Sequence, residues 1–189
     1  LVPEAFYNHP TINDINQIVY AGSWGQMHEG RRIHPELESL YQDYFSIYIR
    51  PARVSKKIEE LKDYFKEHLY KYAHQFHLEA LIVENSLSIP INLPLGLALT
   101  EFIAETGYPV IAHHHDFFWE RQRYQTNAIL DLLDTAFPAK LPSIQHVTIN
   151  SIAQRRLKAR RGIDSVVIPN VHDFASQPPG IDPYNQDFR

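Results

Sequence analysis

Cysteine is absent from this 189-residue chain. Disulfides, thiolate nucleophiles and cysteine-ligated zinc are therefore excluded, and a reducing, cytoplasmic setting is expected. Glycine is scarce, at 7 residues, and no G-x-G-x-x-G or phosphate-loop pattern occurs. The Gly22 to Gly30 stretch neither follows a convincing strand nor opens a helix. No apolar run reaches the ~20 residues of a membrane span; Glu101 and Glu105 interrupt the longest candidate. A signal-peptide pattern is also missing at Leu1, and a start other than Met leads us to expect a chain that is processed, trimmed or cut from something longer. Neither sign of charge dominates, the formal net charge being -4, so neither nucleic acid nor an anionic membrane is called for. What is present is 44% hydrophobic and 12% aromatic, enough for one ordered domain with a real core.

Up to Pro35 the reading is irregular, broken by Pro3, Pro10, Gly22, Gly25 and Gly30, with a short strand or helix conceivable at Asn16 to Tyr20. Spacings of three and four among Leu37, Leu40, Tyr41, Tyr44, Phe45 and Tyr48 then predict an amphipathic helix from Pro35 to Tyr48. A longer one is predicted from about Arg53 to Phe76, with Ile58, Leu61, Phe65, Leu69 and Tyr72 inward and Lys56, Lys57, Glu59, Glu60 and Lys62 on the wet face. Arg50-Pro51 separates the two or kinks one.

An alternation follows. Strands are expected at Ala80 to Val83, Tyr108 to Ala112, Ile144 to Ile149 and Ser165 to Ile168. Between them come helices at Leu93 to Glu105, Asp116 to Asp134 and Ser151 to Arg161, with Gly107 and Gly162 as stops. Strands and helices in this rhythm mean parallel βαβ units, an α/β, Rossmann-like sheet flanked by helices. The tail from Phe174 to Arg189, with Pro178-Pro179-Gly180 and Asp182-Pro183, reads as a linker.

The most informative fragment is Val110-Ile111-Ala112-His113-His114-His115-Asp116-Phe117-Phe118-Trp119-Glu120-Arg121. A short apolar run ends in three histidines and an aspartate, and ligands of open α/β sheets bind at such strand ends. Alternation allows His113 and His115 to share a side while His114 faces the other way. Two imidazoles with a nearby Asp116 fall short of a three- or four-ligand metal site, so no metal is assigned, and Asp116 suits a helix N-cap. Hydrogen bonds from imidazole to a substrate are the preferred reading. Asn85, Ser88 and Asn92 leave the preceding strand and either cap the next helix or lie beside the histidines. Trp119, Glu120, Arg121 and Arg123 follow directly; Trp119 could flank a sugar ring, while Glu120 near a helix start also suits the dipole. The basic run Arg155, Arg156, Lys158, Arg160 and Arg161 lacks interleaved aromatics and reads as a solvated helix.

On these residues the chain resembles the N-terminal, acceptor-side half of family 4 retaining glycosyltransferases, which have the GT-B architecture of two facing Rossmann-like domains. His115-Asp116 after an apolar strand matches the family's strand-end histidine. Val147 to Ser151, a helix, then Val166-Val167-Ile168-Pro169-Asn170-Val171-His172-Asp173 matches the stretch closing its first domain. Val171 and His172 depart from the usual Pro-Asn-Gly-Val-Asp. Glu84 to Tyr124 is most similar to a branch that includes mannosylglucosylglycerate synthases.

The resemblance implies that residues 1–173 form the acceptor-side domain, incomplete at its N-terminus for want of the family's first strand. Residues 174–189 would lead to an absent nucleotide-sugar-binding domain of the same polypeptide. It implies a UDP- or GDP-hexose co-substrate, no cofactor, a small hydroxylated or sugar acceptor, and transfer with retention. His115, with Asp116 beside it, would take the catalytic position, and His113, His114, Asn85, Ser88, Trp119, Glu120, Arg123 and Asn150 the substrate contacts. Alone, the fragment is expected to be inactive. The rivals are a metal-dependent hydrolase built on the histidines and a non-catalytic flavodoxin-like ligand- or partner-binding domain.

Overall fold

A computed structural model describes residues 35–170. The expectations at Asn16 to Tyr20, Gly22 to Gly30, Val171 to Asp173 and the 174–189 linker lie outside the described residues. Two helices, α1 (Pro35–Tyr44) and α2 (Ala52–Gln75), lead into an alternation of β1 (Leu81–Glu84), α3 (Leu93–Thr106), β2 (Val110–His114), α4 (Leu130–Ala136), β3 (Ile144–Thr148), α5 (Ser151–Arg161) and β4 (Ser165–Val167). The strands are all parallel and lie in sequence order, β1-β2-β3-β4. Right-handed crossovers between neighbours taken in that order bring every connecting helix to one face of the sheet. Val83, Val110, Ala112 and Ile144 on that face share a core with Phe65 and Leu69 of α2 and with Leu95, Ala98, Leu99 and Phe102 of α3. On the opposite face Ile82, Ile111 and Val166 remain exposed at 69%, 42% and 50%.

The predicted α5 has the observed bounds, because both end signals are local. Asn150 Oδ1 accepts the Ala153 N–H at 2.8 Å, and Gly162 closes the helix at φ 63°. The same devices frame α3, where Asn92 Oδ1 accepts the Leu95 N–H and Gly107 sits at φ 67°. α3 is the central helix, buried at almost every turn.

Three expectations change. The first helix ends at Tyr44, not Tyr48: Ser46 takes a left-handed φ of 67°, its N–H donates to Thr126 O, and the Ala128 N–H donates to Tyr44 O. Tyr48 is thereby left 80% exposed. Lys62, assigned to the wet face of α2, lies in its buried stripe with Ile58 and Phe65. Its ammonium donates to Glu59 and to Glu101 of α3 at 2.6 and 2.7 Å. Burial would depress Lys62, but these carboxylates outweigh it and hold its pKa above the usual lysine value. The predicted Asp116 to Asp134 helix shrinks to Leu130–Ala136. Two short 3-10 turns, Phe118–Glu120 and Gln122–Tyr124, precede it. Main-chain bonds of this segment run to distant partners, Phe118 N–H to Ser88 O for one, which a helix would forbid.

At Gly96, α3 packs directly against the Phe137 ring. A β-carbon there would stand 2.7 and 3.0 Å from Cε1 and Cε2 of Phe137, a ring that is wholly buried. Alanine would gain about 0.5–1 kcal/mol of helix propensity, but overpacking costs typically about 1–3 kcal/mol. Gly96→Ala should therefore lower stability in urea melts by about 1 kcal/mol or more; a stabilised variant would show that Phe137 moves aside freely.

Candidate active site

His113 and His114 belong to β2 and His115 follows directly, so the alternation of the strand sorts them. Ala112 and His114 point to the helix side, both 0% exposed, and His113 points to the other. Register sets Glu84, the last residue of β1, directly beside His113. Glu84 Oε2 lies 2.9 Å from His113 Nδ1 and 3.6 Å from His115 Nε2, and the two imidazoles meet edge to face with centroids 4.9 Å apart. One carboxylate thus serves two imidazoles at the carboxyl ends of adjacent strands.

Asn85 locks these ends together. Its N–H donates to His113 O at 3.0 Å, extending the ladder by one bond. Its Oδ1 accepts the His115 N–H at 2.8 Å. Both bonds form with Asn85 at a left-handed φ of 56°, which asparagine tolerates better than most residues. The lock fixes the backbone on both sides of the Glu84 carboxylate.

Other site candidates turn out to hold the loop. Asp116 caps no long helix; its carboxylate is paired with Arg121 Nε. Glu120 accepts the Phe117 N–H through Oε2 and Arg156 through Oε1, tying the loop to α5. Ser88 is wholly buried and donates to Asn85 O, so it shapes the turn. Phe117 stacks on Trp119 at 4.5 Å and 11°, covering one face of the indole, and Arg160 lies over the ring at 5.6 Å. Asn150 is engaged as the α5 cap. Arg123 lies over the Tyr124 ring and, with Arg121 and Gln122, lines an open depression of about 510 Å3. The basic run of α5 is a salt-bridged face, with Lys158 on Asp164 and Arg161 on Asp134. Glu84 is the residue that sequence reasoning missed. Its signal was its place as the last residue of the preceding strand, level with the first histidine.

The chain is 39% identical over 135 residues to the mannosylglucosylglycerate synthase of Petrotoga mobilis. It is 45% identical over 128 residues to that of Thermotoga maritima. These glycosyltransferases are its relatives. The matches take in 66% and 62% of this chain but 31% and 28% of the relatives, so the chain spans about three tenths of the curated proteins it matches. No family model matches, and no solved structure does. As in the sequence reading, the similarity is to sugar transferases, with a parallel α/β fold. Among the described residues no helix is long and apolar enough to cross a membrane.

His114 does not fit a role in holding an acceptor. It stacks on His146 of β3 with Nε2 2.9 Å from His146 Nδ1, under Phe117, and its own Nδ1 has no protein partner. Burial, and then the neighbouring imidazoles, keep His114 well below the ordinary histidine range. Burial pushes His146 down to about 4, against a hydrogen bond to the Ala139 backbone that favours the charged form. Both rings therefore stay neutral in the fold, while the unfolded chain takes up protons below pH 6.5. Stability should be flat above that pH, fall as the pH drops, and for His146 stop falling near pH 4. The loss is on the order of a few kcal/mol over this window. Urea melts between pH 7.5 and about 4 check it: His146→Leu should give a shallower acid slope, and an unchanged slope would assign the lability to other groups.

Proposed function

We propose that this chain is part of a hexosyltransferase that moves a sugar from a UDP- or GDP-hexose to a small hydroxylated or sugar acceptor, with retention at the anomeric carbon. The carrying observation is His115, partly exposed just beyond β2 and pinned by Asn85 through its main chain, in a chain related to mannosylglucosylglycerate synthases. Formation of mannosylglucosylglycerate, the product that names the relatives, is the first reaction to try.

In this reading His115 donates a hydrogen bond to a hydroxyl of the donor sugar. Holding the sugar still matters because the bond from the anomeric carbon to the diphosphate breaks while charge develops on the ring, and fixed dipoles stabilise that state without reorganising. The acceptor oxygen bonds to the same face of the anomeric carbon, and its proton leaves with the diphosphate. Asn85 acts through His115 as a positioning residue, and the Asp116–Arg121 pair braces the loop that follows. In this reading donor binding falls to the remainder of the polypeptide, and among the described residues the exposed sheet face of Ile82, Ile111 and Val166 is the surface it would cover.

A product assay on the longer polypeptide that carries this sequence, run beside the 189-residue chain with UDP- and GDP-hexoses, tests the proposal. Transfer by the long form alone is expected. His115→Ala in the long form should reduce kcat/KM by roughly 100-fold or more, equivalent to losing about 3 kcal/mol of transition-state stabilisation, with an unchanged melting profile. Activity within twofold of the parent would remove His115 from the mechanism, and no transfer with any donor would favour a binding domain.

A further inference from the structure

We propose that Glu84, His113 and His115 form a site for a divalent transition-metal ion of the zinc class. Their donor atoms, one carboxylate oxygen and one nitrogen from each ring, all lie within 4.8 Å of one another. They form the one such convergence of three potential ligands among the described residues. Ligands at the usual 2.0–2.2 Å from zinc stand roughly 3.4 Å apart in a tetrahedron. The Glu84 separations of 2.9 and 3.6 Å already bracket that figure, and the two ring nitrogens lie within 4.8 Å of each other.

The backbone beneath is settled in advance. Glu84 and His113 are partners in the β1–β2 register. His113 O accepts the Asn85 N–H, and the His115 N–H donates to Asn85 Oδ1. An ion arriving here orders three side chains and no loop, which keeps the entropy of binding small. Two imidazoles and a carboxylate select zinc, cobalt, nickel or manganese over magnesium, which prefers an all-oxygen octahedron. Three protein ligands leave a coordination position open to water or to an anionic group. Sequence reasoning stopped at two ligands, because the third comes from the neighbouring strand.

Occupancy has a consequence that rests on the transferase reading. His115 Nε2 cannot hold a metal ion and donate to a sugar hydroxyl at once. Zinc and the donor sugar would compete, and micromolar zinc would inhibit transfer.

Binding is measured on the metal-stripped 189-residue chain by calorimetric titration with zinc chloride, with magnesium chloride as the comparison. One zinc per chain is expected, with a dissociation constant of about 1 μM, and no magnesium binding at that level. Glu84→Gln and His113→Ala should each weaken zinc by roughly 10- to 100-fold, while His146→Leu, on the helix side of the sheet, leaves it unchanged. Melting curves without metal establish that each variant is folded, and Glu84→Gln, nearly isosteric and exposed, serves if His113→Ala is not. Absence of zinc binding, or equal affinity in the parent and in the folded Glu84→Gln, overturns the site. Because transfer is not the readout, failure here leaves the His115 assignment standing. Failure of the transferase assay likewise leaves the metal site standing.

Discussion

The β1–β2 register is the constraint on which the site depends. In paired parallel strands, residues in register project to the same side, and a shift of one position reverses every side chain. With Glu84 beside His113 and Val83 beside Ala112, Val83 and Ala112 go to the helices and the carboxylate and imidazole to the open face. Slipped by one residue, β1 would drive Glu84 into the core beside Ala112 and expose Val83. Burying an unpaired carboxylate costs several kcal/mol, so the hydrophobic pattern of the strand and the chemistry at its end enforce the same register. Asn85 adds the last rung and one side-chain bond to it.

The same parity separates two pairs of histidine contacts that are close in sequence. His113 and His115 are partly exposed around Glu84, while His114 pairs with His146 in the core. The outer group can exchange partners with solvent or ligand. The inner pair cannot gain a proton without bringing charge under Phe117 and α5, so it is a structural element with an acid-sensitive stability.

How far the sequence was legible follows from how local each signal is. The helix α5 and its Gly162 stop are decided within a dozen residues, and the reading matched them, whereas Asn150, read as a substrate contact, is the residue that caps the helix. The four strands, each short and apolar, were placed to within two residues at every end. What failed was tertiary. The segment after His115 has helical spacing, yet Phe118 N–H and Ser46 N–H engage partners far along the chain and hold it in short turns. Lys62 was legible as polar, but not as an ammonium that Glu101 of another helix draws into the buried stripe. The facing of His113 and His115 followed from alternation alone, whereas Glu84 required knowing which strand is the neighbour. Ser88, Glu120 and Asn150 were read as substrate contacts, and periodicity could not tell a hydrogen bond within the fold from one to a ligand.

Ligands of open α/β sheets settle where neighbouring crossovers diverge to opposite faces. Among the described residues no such point exists, because the strand order is sequential and the helices gather on one face. The Glu84–His113–His115 group nevertheless spans β1, the edge strand among the described residues, and its neighbour β2, on the side where Ile82 and Ile111 are exposed. A strand added at that edge, with its crossover on the open face, would create the divergence beside these residues and cover the apolar row that a parallel sheet ordinarily buries. Among the described residues, the Glu84–His113–His115 group thus lies at the end of the sheet face that the connecting helices leave open.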